Sequence, residues 1–558
     1  MKHWFTKVVA VASLATCTLP AMARKVKDQG EIIYLSSYNG KMTGDTIRVF
    51  FADQKAQIFS KRSSKNELQL IDYAQAQGLS VLTTQAGEHY TLQRPFENMP
   101  SMTATGETEK IAGVLCEKYE FVSFSNKMEM WIAKDSKIHG SPYNSMGADK
   151  GLVLKVRRNG NSTIEAAKIN YKKLKPEALN WPSDFGKFVD APHYTQQQIE
   201  NRYETIPVFD HQHLNFGDEL KAVTNPQENV AYRVSKGAVV LKKIRLPKRD
   251  DARVFARLTQ YSEGDAYDRT GSVFVIPTDK PKSFLDAFFQ GLDQVPSFKD
   301  NKGRTYQGMT VTDDYTPPME LMRFFTSFGV RAYNDKRPIA GYPWADSTIY
   351  KQDISELLPA MQEEVWIGVF IGNYAKNGHN VSLDLMYYPS EEPKTKKWVS
   401  PIFDTVNLME MAGQEYPKMF DGDTLEVEVN IPEGVKNVRL RYVPTGHGGW
   451  GTGDEFVPKE NRIFVDGKLS YRFTPWRTDC ATYRLSNPAS GNFGNGMSSS
   501  DLSRSNWCPG TLTQPTFISM PELTPGKHLI RVAIPQGADA GTMFNFWCVS
   551  GTLIGDYE

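Results

Sequence analysis

Between Gly446 and Gly510 the sequence gathers glycine, tryptophan, acid, arginine and cysteine in three short runs. They are Gly446–Phe456 (GHGGWGTGDEF), Pro475–Cys480 (PWRTDC) and Ser503–Gly510 (SRSNWCPG). These residue types suit sugar chemistry at a loop-built site. Trp450, Trp476 and Trp507 can stack on or wall a pyranose ring. Asp454 and Glu455 can move protons. Arg477 and Arg504 can hold or orient a carboxylate. Glycines let backbone come close to a ligand, and Cys480 and Cys508 can staple the long loop between them. The glycine run is no phosphate cradle, because no helix follows it and no Lys-Ser/Thr pair closes it. Plainer readings compete: Trp507 beside Cys508 suits core packing, and Arg504 suits a cap on the cysteine-bounded loop.

The elements that must position these loops are strands. Residues 24–176 read as an N-terminal β domain, a curled antiparallel sheet built from segments such as TIRVFFADQKAQIFSK and KMEMWIAKD, with Asn-Gly and Gly turns between them. Residues 177–205 are polar and Pro-bearing and read as a linker with one helical turn. Strands resume over 206–393, where Pro277–Tyr342 is less regular and reads as an insertion carrying a helix (SFLDAFFQGL) and the run MRFFTSF. A second β unit spans 394–558. Two consecutive units with turn signals and little helix argue for an all-β chain of paired sandwiches.

Residues 1–23 read as a signal peptide, with Lys2 and Lys7, an apolar Val8–Leu19 and an Ala21-Met22-Ala23 cleavage site. The expected location is periplasmic or secreted, without membrane insertion. The net charge of +1, with acids and bases interspersed, offers no field for nucleic acid. Of the cysteines left after cleavage, Cys480 and Cys508 are the favoured pair, while Cys116 and Cys548 read as buried free thiols. His211 and His213 share one strand face, but two histidines without a third ligand are more often surface residues.

The stretch around Cys116 (G-x-x-C-x-K-Y, then M-x-x-W-I-A) resembles small periplasmic half-barrel proteins. A more specific resemblance covers about 206–558. Ser503–Gly510, the Asp454-Glu455-Phe456 run after the glycines, and Tyr267-Asp268-Arg269 before the strand GSVFVIP are similar to the peptide-N-glycosidase F family, bacterial amidases that remove N-linked glycans. The resemblance implies two adjacent eight-stranded jelly rolls with the active site in the cleft between them. It implies catalytic roles for Asp268, Glu455 and Arg504, substrate contacts by Arg269, Tyr267, His447 and Trp450, and a Cys480–Cys508 disulfide. The pattern also departs from the family. Tyr267 stands where a Trp is usual, and the His-bearing motif is rearranged around His447. A third carboxylate expected in the strand VWIGVFIGNY is missing, lost or supplied from the 277–342 insertion.

The expected activity is hydrolysis of the Asn–GlcNAc amide by an exported monomer that needs no metal or organic cofactor. Asn becomes Asp, and the intact glycan leaves as a glycosylamine. The alternative is a non-catalytic N-glycan-binding protein, motivated by the missing carboxylate.

Overall fold

The structure is a computed structural model describing residues 27–60, 66–174, 179, 181–220, 222–247, 252–361, 363–390, 396–449, 453–491, 496–539 and 544–557. The signal-like segment and Trp450 lie outside these residues. The chain divides into two compact units, one ending at Arg202 and the other running from Tyr203 to Glu558.

Among the described residues the first unit is a single twelve-stranded sheet. Eleven strands run antiparallel to their neighbours, and the last, Lys187–Val189, joins the edge strand His89–Pro95 in parallel. One face carries the apolar set that includes Ile32, Tyr34, Val49, Phe51, Cys116 and Leu152. The segment expected as a linker belongs to this unit instead. It contains the edge strand and a ten-residue helix, Ala191–Glu200. Asp190 caps that helix by accepting from His193 N at 2.9 Å. Tyr194 anchors it against Leu82 and Leu92, donating to Glu67 Oε1 at 2.9 Å. A polar composition hid a helix held by one buried side chain.

The second unit is all β and forms two sandwiches. The first pairs a four-stranded sheet with a six-stranded one. The strand Ala252–Ser262 shows why: its residues alternate between core and outer face along ARVFARLTQYS. The second sandwich pairs two four-stranded sheets around Ile463, Leu440, Ile530 and Trp547, giving eight strands among the described residues. Leu425–Ile431 (LEVEVNI) alternates there in the same way.

The 277–342 stretch is more integral than an insertion. Its helix Phe284–Gln290 is present, closed by a Ser283/Asp286 capping box. The run MELMRFF is a strand, Met319–Phe325, hydrogen-bonded to Thr270–Ile276 on one side and to Leu512–Thr513 on the other. All seven residues are buried, so no period-2 pattern marks the strand. Its second face meets the second sandwich, where Arg441 donates to Glu320 O at 2.9 Å and Leu321 O at 3.0 Å. Among the described residues, the pair Leu512–Thr513 makes the first sandwich ten-stranded, larger than the eight expected, and ties the loop after Cys508 to it.

Candidate functional site

Three loops converge where the two sandwiches meet. The first joins Ala252–Ser262 to Thr270–Ile276 and carries Tyr267, Asp268 and Arg269. Its bends are fixed from within: Ser262 Oγ donates to Asp265 O at 2.5 Å, and Tyr267 N donates to Asp265 Oδ1 at 3.1 Å. Buried Thr326, just past the strand Met319–Phe325, clips its far end. Thr326 Oγ1 accepts from Arg269 N at 2.8 Å and donates to Tyr267 O at 3.0 Å. Asp268 sits between the two clipped residues. Thr326→Val leaves a buried amide and carbonyl unpaired, which costs on the order of 1–3 kcal/mol. We expect a lower unfolding midpoint in urea and a fall in kcat, with both restored by Thr326→Ser.

The second and third loops, around Glu455 and Arg504, lie side by side. Ser505 N donates to Glu455 O at 2.9 Å, Ser505 Oγ to Asp454 O at 2.5 Å, and Trp507 Nε1 to Gly446 O at 3.1 Å. The backbone comes close enough at Gly446 that a Cβ would lie 2.7 Å from the Trp547 ring and 2.9 Å from Ser505 Cβ. The Cys480–Cys508 disulfide is formed, with Cα atoms 5.1 Å apart, and Arg477 and Arg504 exchange backbone hydrogen bonds beside it. Cys116 and Cys548 are buried free thiols.

Arg504 is the hub. Its side chain is 1% exposed and reaches both acids, Glu455 Oε1 from Nε at 2.9 Å and Asp268 Oδ2 from Nη2 at 3.3 Å. Ser499 O, at 2.8 Å, takes another of its protons. Its guanidinium lies over Trp507 and Phe456, 4.7 and 5.0 Å from the ring centroids. Burial pushes the Asp268 carboxyl up to about 7 against the pull of Arg504, with the charge of Glu455 adding to the rise. Burial also raises Glu455, again opposed by Arg504. One cation therefore serves two carboxyl groups that desolvation makes basic.

A pocket of about 310 Å³ opens over this group, at the low end of the ~300–1,000 Å³ typical of small-ligand sites. Asp268, Thr270, His447, Gly448, Gly449, Glu455, Trp507, Phe544 and Phe546 line it. Trp507 is thus both core and wall: it stacks on Phe325 at 4.1 Å and lines the pocket.

Other expected site residues lie differently. Arg269 turns to buried Asp265, with Nε 2.7 Å from Oδ2 and Nη2 3.2 Å from Oδ1. Burial acts to raise Asp265, but hydrogen bonds from His379 and Arg269 outweigh it and hold the carboxyl at about 2. Arg269 also lies over the rings of Tyr267 and Tyr374. Tyr267 is 61% exposed. Asp454, offered for proton work, is fully buried and is an anchor instead. It accepts from Trp547 Nε1 at 2.8 Å and Gly537 N at 3.0 Å. Arg477 pairs with Asp479 and Thr511 rather than facing the pocket.

One acid was not legible from spacing. Gly372 follows the strand Glu364–Ile371, in the stretch expected to carry a third carboxylate, and its N–H donates to Thr270 O at 2.9 Å. The space a side chain would fill there is occupied by Glu410, whose Oε1 is 2.6 Å from an ideal Cβ on Gly372. Among the described residues that oxygen is buried without a hydrogen-bond partner. Burial raises the Glu410 carboxyl to about 7, opposed by a hydrogen bond from Tyr416 and by Arg269. The stretch VWIGVFIGNY has glycines at 368 and 372, so neither marks a gap by itself, and the acid against Gly372 comes from the distant turn Glu410–Ala412.

Three family matches cover most of the chain. Residues 205–387 match "Peptide-N-glycosidase F, N terminal", residues 415–554 match "Peptide-N-glycosidase F, C terminal", and residues 32–196 match "N-glycanase peptide, N-terminal domain". Comparison with curated proteins gives no match. Among solved structures, PNGF-II in its C2 crystal form is 42% identical, with a TM-score of 0.84 over 95% of this chain and 98% of that one. The P21 form is 41% identical, with the same TM-score over 95% and 100% of the two chains. With this identity sustained over nearly the whole length, the chain belongs to the peptide-N-glycosidase F family and is an N-glycanase with an additional N-terminal domain.

Proposed function

We propose that the protein is an exported amidase that hydrolyses the amide between Asn and the first GlcNAc of N-glycoproteins or glycopeptides. Water adds to the amide carbonyl, the C–N bond breaks, Asn becomes Asp, and the glycan departs whole as a glycosylamine. The observation that carries this reading is the pair of carboxyl groups, Asp268 and Glu455, joined through one buried Arg504 at the base of an aromatic-walled pocket.

In this reading Asp268 takes the proton of the attacking water. A base raised to about 7 is matched to that task near neutral pH. Glu455 holds a second water or the GlcNAc hydroxyls. Arg504 keeps both acids in place and faces the charge that grows on the amide oxygen. Glu410 supplies a further carboxyl against Gly372, just past the strand that lacks one. Trp507, Phe544 and Phe546 wall the sugar. Export is supported by the signal-like start of the sequence and the disulfide. Among the described residues no helix is long and apolar enough to cross a membrane.

The pH dependence tests the assignment of the base. Asp268 works ionised, so kcat/KM should rise about tenfold per pH unit below about pH 7 and level off above it. In Asp268→Asn the residual rate should lose this limb. If the limb persists unchanged in that variant, another group is the base.

A further inference from the structure

His447 lines the pocket yet is almost fully buried, sandwiched among Phe546, Trp507 and Phe325, whose ring centroids lie 4.8, 5.7 and 5.8 Å away. Its Nε2 lies 2.9 Å from Thr445 Oγ1. That oxygen already accepts from Arg323 Nη1 at 2.8 Å. An arginine can only donate, so the direction of this second bond is fixed. Arg323 is itself immobilised: fully buried, it grips Glu320 with Nε and Nη2. The single hydroxyl proton of Thr445 has one acceptor among the described residues, which is His447 Nε2. Donating that proton leaves Nε2 bare and the ring proton on Nδ1. Nδ1 makes no hydrogen bond among the described residues.

We propose that His447 is a neutral hydrogen-bond donor to the substrate, presenting Nδ1–H to the acetamido carbonyl of the first GlcNAc, and that Arg323 and Thr445 are positioning residues that lock this tautomer. The ligand assignment rests on the N-glycan reading above. Its chemistry comes from the site. A hydroxyl gives and takes hydrogen bonds, whereas a carbonyl only accepts, and Nδ1–H only gives. The Phe544 and Phe546 rings that line the pocket suit the acetamido methyl. Burial, with the nearby positive charge of Arg323, drives the His447 pKa down to about 3, so the ring stays neutral at working pH. An imidazolium would present two donors and reverse the bond with Thr445.

The test uses the full-length processed protein carrying isotope-labelled histidine, with the His447 signals assigned by comparison with His447→Asn. The nitrogen spectrum should show Nδ1 protonated and Nε2 bare. N-acetylglucosamine should move the Nδ1 signal, and glucose, which lacks the acetamido group, should leave it in place. Thr445→Val should abolish the fixed tautomer and weaken N-acetylglucosamine binding ~10-fold. Thr445→Ser should preserve both. A proton on Nε2 in the unmutated protein, or an Nδ1 signal indifferent to N-acetylglucosamine, overturns the proposal whatever the fold or activity of the variants. The tautomer is read without turnover. A protein that cleaves N-glycans with Nε2 protonated refutes this proposal alone, and one that shows the expected spectra without cleaving them refutes the amidase reading alone.

Discussion

Asp268→Asn is expected to lower kcat/KM on a denatured N-glycoprotein by roughly 10²–10⁴-fold, the range for loss of a positioned general base. The substitution keeps the shape of the side chain and its contact with Arg504 Nη2, but removes the basic oxygen. Folding should not account for the loss. The raised carboxyl pKa means that the folded chain binds this proton more tightly than the unfolded chain does. The ionised group therefore draws stability down as pH rises from about 4, the unfolded value, to about 7, the folded one. The amide variant escapes that penalty, so its melting temperature at pH 8 should equal or exceed that of the parent. A variant that is both inactive and strongly destabilised at pH 8 would place Asp268 in the scaffold rather than in the chemistry.

Arg504→Met should have the largest combined effect. Removing one partner from a buried ion pair typically costs about 3–5 kcal/mol, because the remaining charge is left unpaired in a poorly solvated place. Here two acids lose their shared cation, and Ser499 O loses a donor. The methionine stem can still pack on Trp507 and Phe456, so the loss reports charge and hydrogen bonding more than volume. Urea unfolding should show the destabilisation. In the protein that remains folded, the acidic limb of the pH–rate profile should move to higher pH, because Arg504 is the principal influence lowering the Asp268 pKa. Arg504→Lys should fall between the two, since one ammonium cannot reproduce the fork that reaches both acids. An unmoved limb in a stable Arg504→Met protein would separate Arg504 from the titration of Asp268.

The parts of this fold that were legible in the sequence are those where one face of a strand is wet. LEVEVNI and ARVFARLTQYS alternate, and they are strands. The strand Met319–Phe325 was not legible because both of its faces are buried, one in its own sandwich and one against the next. The helix Ala191–Glu200 was missed for the opposite reason, since only Tyr194 is buried along it. At the site, Asp268, Glu455 and Arg504 were readable through their motifs, and the structure brings the three together. The direction in which Arg269 turns was not readable. It depends on Asp265, four residues earlier, whose burial needs the tertiary contact with His379. Glu410 was invisible for a related reason: the gap at Gly372 and the acid that fills it are 38 positions apart and share no local pattern.

The amidase assignment is tested most directly by incubating the processed protein with an N-glycopeptide in heavy-oxygen water and weighing both products by mass spectrometry. The expected products are a peptide whose Asn has become Asp with one heavy oxygen in the new carboxyl, and a glycan released whole with its first GlcNAc attached. A peptide that keeps GlcNAc on an intact Asn would move the cut to a glycosidic bond, and an unchanged glycopeptide bound to the protein would mean that the carboxyl pair at Arg504 recognises N-glycans without cleaving them.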